Sequence, residues 1–265
     1  MDMRSGVFDE IRILPTMPDN LPYARTSLNE GDGMKETILF MPGLLCTERL
    51  WSSQLAYFSD DYDCVVADMT KDDTLSGIVE RALANMPARF SVAGLSMGGY
   101  AAFEVMRQAA DRVTRLALLD TSARADTPER IERRKGLIAR VENGEFKDVT
   151  EEHFPTFIHP DRLSEESIMA DIRASAAEVG AAAYIQQNLV IMARPDSLQL
   201  LSSIACPTLV LCGAEDALTV PELHDEMAAA IPGAVLVKIP HCGHLSPLER
   251  PDDVNAALAE WLRRS

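Results

Sequence analysis

The sequence has no internal repeat and no low-complexity tract, so a repeat architecture is excluded. Basic residues are scarce: 25 Lys and Arg stand against 41 Asp and Glu, a formal net charge of −16. A chain so acidic is a poor match for nucleic acid or an anionic membrane surface, and the excess reads as a solvated exterior. The N-terminal stretch from Met1 to Pro15 has no long apolar run and carries Asp2, Arg4, Asp9, Glu10 and Arg12. It predicts neither a signal peptide nor a membrane span. The five cysteines (Cys46, Cys64, Cys206, Cys212, Cys242) are odd in number and lack a spacing framework. That pattern points to free thiols in a reducing compartment, and a cytoplasmic location is expected. His241, Cys242 and His244 cluster, but no fourth ligand stands at a recognisable spacing, so no metal or other cofactor is expected.

What is present is an ordinary globular composition, 47% apolar and 25% charged, over a length sufficient for one large core. Short apolar runs alternate with helical patterns. Strands are predicted at Thr37–Met41, Tyr62–Ala67, Ala88–Ala93, Val113–Leu119, Pro207–Cys212 and Ala234–Ile239. Between them lie helical segments near Leu50–Phe58, with Thr47 as N-cap, and at Asp73–Asn85, Pro221–Ile231 and Asp252–Arg264. Such alternation predicts an α/β fold: a mostly parallel sheet covered by helices on both faces. From Ala123 to Ala205 only helical patterns occur, broken by Gly144, Pro155, Pro160, Gly180 and Pro195. The expected organisation is a core of residues 1–122 and 206–265 interrupted by a helical lid at 123–205. Residues 1–20 read as a loose arm, and Leu21–Leu28 as an antiparallel edge strand.

Gly94-Leu95-Ser96-Met97-Gly98 has the form of a nucleophile elbow, a sharp turn joining a buried strand to a helix. The apolar run before it and the small-residue helix pattern after it supply the order that the motif demands. A serine hydroxyl needs a base, and the base needs a carboxylate to orient it. Of five histidines, His244 follows the last strand, at the sheet edge toward which the elbow also points, while His241 reads as a solvated neighbour. Asp216, just past the strand ending at Cys212, is the preferred carboxylate; Asp120, at the end of another strand, reads instead as a turn or lid-anchoring residue. Two backbone donors are expected for a developing oxyanion: Met97 N–H at the start of a helix, and Leu44 N–H after Pro42-Gly43.

These motifs resemble the α/β-hydrolase fold over nearly everything from Ile38 to Leu262. Gly94-x-Ser96-x-Gly98-Gly99, Gly213-x-x-Asp216 and Gly243-His244-x-x-x-x-Glu249-Arg250-Pro251 follow that family's order. The stretch Leu118–Arg124 is similar to the 3-oxoadipate enol-lactonase and small-carboxylesterase branch. The resemblance implies Ser96, Asp216 and His244 as a triad, with Leu44 and Met97 as oxyanion donors. It implies cleavage of a small carboxylic ester, lactone or thioester. Pro42 departs from the pattern, standing where many members have histidine. Serine at the elbow excludes the aspartate-based dehalogenase and epoxide-hydrolase chemistries. Leu245, where carbon–carbon hydrolases usually carry an aromatic, weakens that alternative. Cofactor-free perhydrolysis and a sensor with little turnover remain as further readings. Arg124, Phe157, Tyr184, Met192 and Leu245 are the candidate pocket residues, with Arg124 placed to meet a substrate carboxylate. A small-molecule substrate is the expected partner, for a monomer or a homodimer alike.

Overall fold

A computed structural model describes residues 11–12 and 35–264. The edge strand expected at Leu21–Leu28 lies outside the described residues. In chain order the elements are β1 (Ile11–Arg12), β2 (Glu36–Met41), α1 (Ser52–Phe58), β3 (Tyr62–Val66), α2 (Leu75–Leu83), β4 (Phe90–Leu95), α3 (Met97–Ala109) and β5 (Val113–Leu119). Four helices follow, α4 (Pro128–Glu142), α5 (Phe146–Phe157), α6 (Glu166–Ala193) and α7 (Leu198–Leu201). The alternation then resumes with β6 (Thr208–Gly213), α8 (Pro221–Ala230), β7 (Val235–Ile239), α9 (Ser246–Glu249) and α10 (Pro251–Leu262).

The strands form one sheet in the order β1-β7-β6-β5-β4-β2-β3, and every pairing is parallel. Two residues of the expected loose arm are thus part of the sheet, Ile11 opposite Leu236 and Arg12 opposite Val237. Successive strand residues serve opposite faces. Ile38, Phe40, Leu209 and Leu211 pack with Phe58 of α1 and Leu258 and Trp261 of α10. Leu39, Met41, Leu116 and Val210 pack with Ile78 of α2, Phe103 of α3 and Met227 of α8. Burial on both faces is why the strands read as unbroken apolar runs.

Local signals set the helix ends. Thr74 caps α2 by accepting a hydrogen bond from Gly77 N–H at 3.0 Å, and Thr47 caps the short turn leading into α1. Gly180, at φ 72°, breaks α6 into two helical pieces. The four helices between β5 and β6 form an insertion that joins the core on the α1 and α10 face through Val149, Phe154 and Ile172, and on the opposite face through Ile191 and Leu201.

After β2 the chain steps outward to β3, then returns to place β4 on the other side of β2. This reversal opens a crevice at the carboxyl ends of β2 and β4, where open parallel sheets bind ligands. The residues that leave those two ends are Pro42-Gly43-Leu44 and Ser96.

Candidate active site

Ser96 leaves β4 with φ 54° and ψ −113°, a strained conformation for any residue but glycine. Its N–H donates to Leu119 O at 3.0 Å, and its own carbonyl accepts from Thr121 Oγ1 at 2.8 Å. The turn is possible because the chain passes very close to itself: a Cβ on Gly98 would overlap the Met41 carbonyl, and one on Gly94 the Gly98 carbonyl. Backbone strain and these two glycines together aim the serine hydroxyl out of the sheet.

His244 and Asp216 arrive from the ends of β7 and β6. Asp216 is buried, and its Oδ1 accepts from the N–H groups of Leu218 at 2.8 Å and Thr219 at 3.0 Å. Its Oδ2 accepts from Thr219 Oγ1 at 2.7 Å and meets His244 Nδ1 at 2.8 Å. The other imidazole nitrogen, His244 Nε2, lies 2.9 Å from Ser96 Oγ. Ser96, His244 and Asp216 therefore form one continuous hydrogen-bonded chain.

The electrostatics suit a proton acceptor. Burial alone would push the His244 pKa down, but the Asp216 charge and hydrogen bond outweigh it and hold the pKa above the ordinary 6.5. Burial would likewise raise Asp216, yet His244 and Thr219 bring it down to about 2. Asp120 takes the opposite course: burial and the neighbouring Asp216 charge push its carboxyl well above the usual range.

Of the two roles read for Asp120, the structure shows the turn, at φ 44°, and not the lid anchor. Its Oδ1 accepts from Gly213 N–H at 2.9 Å and its Oδ2 from Ser246 Oγ, so it ties β5 to β6 and to the segment carrying His244. Glu215 turns away from the site and accepts from Cys242 N–H at 3.2 Å.

A cavity of about 190 Å³ opens over Ser96, and Gly43, Leu44, Phe157, His244 and Leu245 are among the residues that line it. Three of the expected pocket residues lie elsewhere. Arg124 sits on the surface, its guanidinium forked onto Glu226 at 2.7 and 2.9 Å. Tyr184 is wholly buried behind the wall, with its hydroxyl 3.0 Å from His153 Nε2. Met192 is half-buried outside the cavity, because on its helix the neighbouring Ile191 faces inward. Helical periodicity allowed either residue to face the cavity, and only packing selected one.

Sequence reasoning missed several groups that shape the site. Gln187 of α6 is buried; its Oε1 accepts from Leu45 N–H at 3.2 Å and its Nε2 donates to Met69 O at 3.3 Å. Leu45 itself has φ 61°, so this side chain holds a strained turn beside Leu44. Glu249 accepts from the N–H groups of His159 at 2.7 Å, Gly243 at 3.1 Å and Leu245 at 3.2 Å, bracketing His244. His224 of α8 is buried, with its pKa lowered by desolvation to about 4. Its neutral Nε2 accepts from Thr121 N–H at 2.9 Å. Gln187 and His224 carry no local sequence signal, whereas Glu249 stands in the motif Gly243-His244-x-x-x-x-Glu249 without a role being read for it. His159, Asp161 and His241 bring one ligand atom each within 4.8 Å of one another on the outer surface. They are the residues among those described that could hold a metal ion, while His244 and Cys242 take no part.

The model of the alpha/beta hydrolase family matches residues 38–257. A pimeloyl-[acyl-carrier protein] methyl ester esterase from Nitrosomonas europaea is 30% identical over 68% of this chain and 74% of its own length. The malate-bound structure of a thermophilic esterase from Thermogutta terrifontis superposes with a TM-score of 0.80 at 30% identity, covering 87% of this chain and 90% of that one. An enol-lactonase from Burkholderia xenovorans LB400 gives 0.79 at 25% identity, with 88% and 93% covered. Among the described residues no helix is long and apolar enough to cross a membrane. Those relatives are named as enzymes that act on esters or lactones, and the chain belongs to the alpha/beta hydrolase family.

Proposed function

We propose that this enzyme is a serine hydrolase that cleaves a small carboxylic ester or lactone through an acyl-enzyme on Ser96. The observation that carries the reading is the unbroken chain Ser96 Oγ–His244 Nε2 and His244 Nδ1–Asp216 Oδ2. As Ser96 Oγ bonds to the substrate carbonyl carbon, its proton passes to His244 Nε2. Asp216 fixes the tautomer by accepting from Nδ1–H and stabilises the imidazolium that forms. The carbonyl oxygen, now negative, is held by the N–H groups of Leu44 and Met97. When the intermediate collapses, the carbon–oxygen bond to the leaving group breaks, and the imidazolium returns its proton to that oxygen. A water molecule then repeats the sequence on the acyl-enzyme, giving its proton to His244 and freeing the acid and Ser96.

Residues 123–205 act in this reading as a lid over the cavity, the core being 1–122 and 206–265. Phe157 and Leu245 form part of its apolar wall. The five free thiols support a reducing, cytoplasmic setting. A relative named as an esterase and a solved neighbour named as an enol-lactonase support ester and lactone substrates alike.

A fluorophosphonate probe should label the protein at Ser96. Ser96→Ala should lose both the label and the hydrolysis of p-nitrophenyl esters and of a small lactone panel. Labelling that survives the substitution would overturn the assignment.

A further inference from the structure

The charge around the cavity runs against that of the molecule. Acidic residues outnumber basic ones by 41 to 25 in the chain, yet no aspartate or glutamate is among the described residues that line this cavity. Three arginines are: Arg130, Arg133 and Arg134, all on α4. With Leu137, which also lines the cavity, they occupy positions i, i+3, i+4 and i+7, a single face of the helix. Placing three cations within little more than one turn is unfavourable unless each has a counter-charge.

Only one of the three has such a partner among the described residues. Arg134 Nε donates to Asp126 Oδ2 at 2.7 Å, and its Nη1 donates to Asn188 Oδ1 at 2.8 Å. Arg130 reaches across the opening to donate to Leu218 O at 3.2 Å, a neutral acceptor in the Asp216 loop. Arg133 faces the cavity with no carboxylate or carbonyl partner among the described residues, and lies exposed at its mouth. The field of these cations reaches inward. His153, on the same wall, is pushed down to about 4, by burial first and then by Arg133 and Arg134.

We propose that Arg133, flanked by Arg130 and Arg134, is an anion-binding subsite, and that the preferred ester carries a free carboxylate remote from its scissile carbonyl. The planar guanidinium fork matches a carboxylate with two parallel hydrogen bonds, which a point charge would not supply. The subsite takes the place that the sequence suggested for Arg124, whose fork is already filled by Glu226. This inference rests on Ser96 being the nucleophile below the same cavity.

The test compares p-nitrophenyl hydrogen adipate with p-nitrophenyl hexanoate, which present acyl chains of one length with and without a terminal carboxylate. The wild-type enzyme should favour the acid in kcat/KM, chiefly through KM, and the preference should shrink as salt screens the mouth. Arg133→Ala should lower the acid-to-neutral ratio about tenfold, and Arg133→Glu should invert it. Arg133→Lys should recover part of the preference. Arg173→Ala, on the exposed outer side of the insertion, serves as the control that keeps the wild-type ratio. A wild-type enzyme indifferent to the carboxylate, or a ratio unmoved by both Arg133→Ala and Arg133→Glu, would overturn the subsite. Hydrolysis of both esters by Ser96→Ala would instead overturn the nucleophile, so the two failures are separable.

Discussion

At the scale of single residues, the proposed mechanism makes His244 the group that sets the working pH. It must be neutral to accept the Ser96 proton, and Asp216 favours its charged form. Its pKa above 6.5 therefore moves the loss of activity to a higher pH than a free imidazole would show. We expect kcat/KM to rise with pH through a single inflection above 6.5. Asp216→Asn should shift that inflection downward, because the charge that holds the proton is gone. It should also cost roughly a thousandfold or more in kcat, since the imidazole tautomer is no longer fixed. A pH–rate profile of the two enzymes checks both signs. Gly98 is the structural counterpart. Gly98→Ala would force a Cβ into the Met41 carbonyl, an immobile backbone group, and should cost about 3 kcal/mol of stability. Thermal unfolding would record this as a Tm lowered by several degrees.

At the scale of elements, the helical insertion does more than line the cavity. Gln187 on α6 spans from Leu45 N–H after β2 to Met69 O after β3, across the two outermost strands on that side. Leu45 keeps its left-handed backbone beside Leu44 while that amide is in place. Gln187→Leu has similar volume but satisfies neither backbone group. It should lower kcat about tenfold or more with a much smaller change in KM, because in the proposed mechanism a displaced Leu44 N–H would fail the transition state rather than the bound ester. Steady-state kinetics on one p-nitrophenyl ester separates the two parameters; an unchanged kcat would show that the turn holds without the bridge. Glu249 binds other elements together. It gathers N–H groups from the loop carrying His244 and from His159 after α5, while Phe157 O accepts from His244 N–H at 3.0 Å. His244 is thus held by both the core and the insertion.

At the scale of the molecule, the insertion is closed at its neck by ties between its two ends. Ser197 N–H donates to Ala123 O at 2.7 Å, and Arg194 donates to Arg124 O at 2.9 Å. Asp126, with a fully buried carboxylate, pairs with Arg194 at 2.9 Å and Arg134 at 2.7 Å. Burial would raise its pKa, but the two arginines bring it below the usual carboxylate value. Its contribution to stability is therefore present above the unfolded pKa and is lost as acid takes the pH down through the folded one. Asp126→Asn would leave Arg194, itself buried, without a full counter-charge, and should cost about 3 kcal/mol. Denaturant unfolding at neutral pH measures this, and the difference from wild type should narrow as the pH falls toward 3.

The elements and the elbow were legible in the sequence because their causes are local. Apolar alternation sets strands and helices, and a serine between close-packed glycines sets the turn around Ser96. Asp216 and His244 were legible for a related reason: each follows a parallel strand, and parallel strands deliver their carboxyl ends to one edge. Tertiary structure alone decided which partners those groups would have. Gln187 meets Leu45 across 142 residues, Glu249 meets His159 across 90, and Asp120 meets Ser246 across 126. No periodicity encodes such pairs. The same holds for the wall of the cavity: Arg124 and Arg133 are both basic residues near the start of the insertion, and composition treats them alike. Helix α4 turns Arg133 toward Ser96 and leaves Arg124 to Glu226. Local sequence determined the elbow and the strand ends through short-range sterics and strand order, and packing at long range chose which charged groups line the cavity.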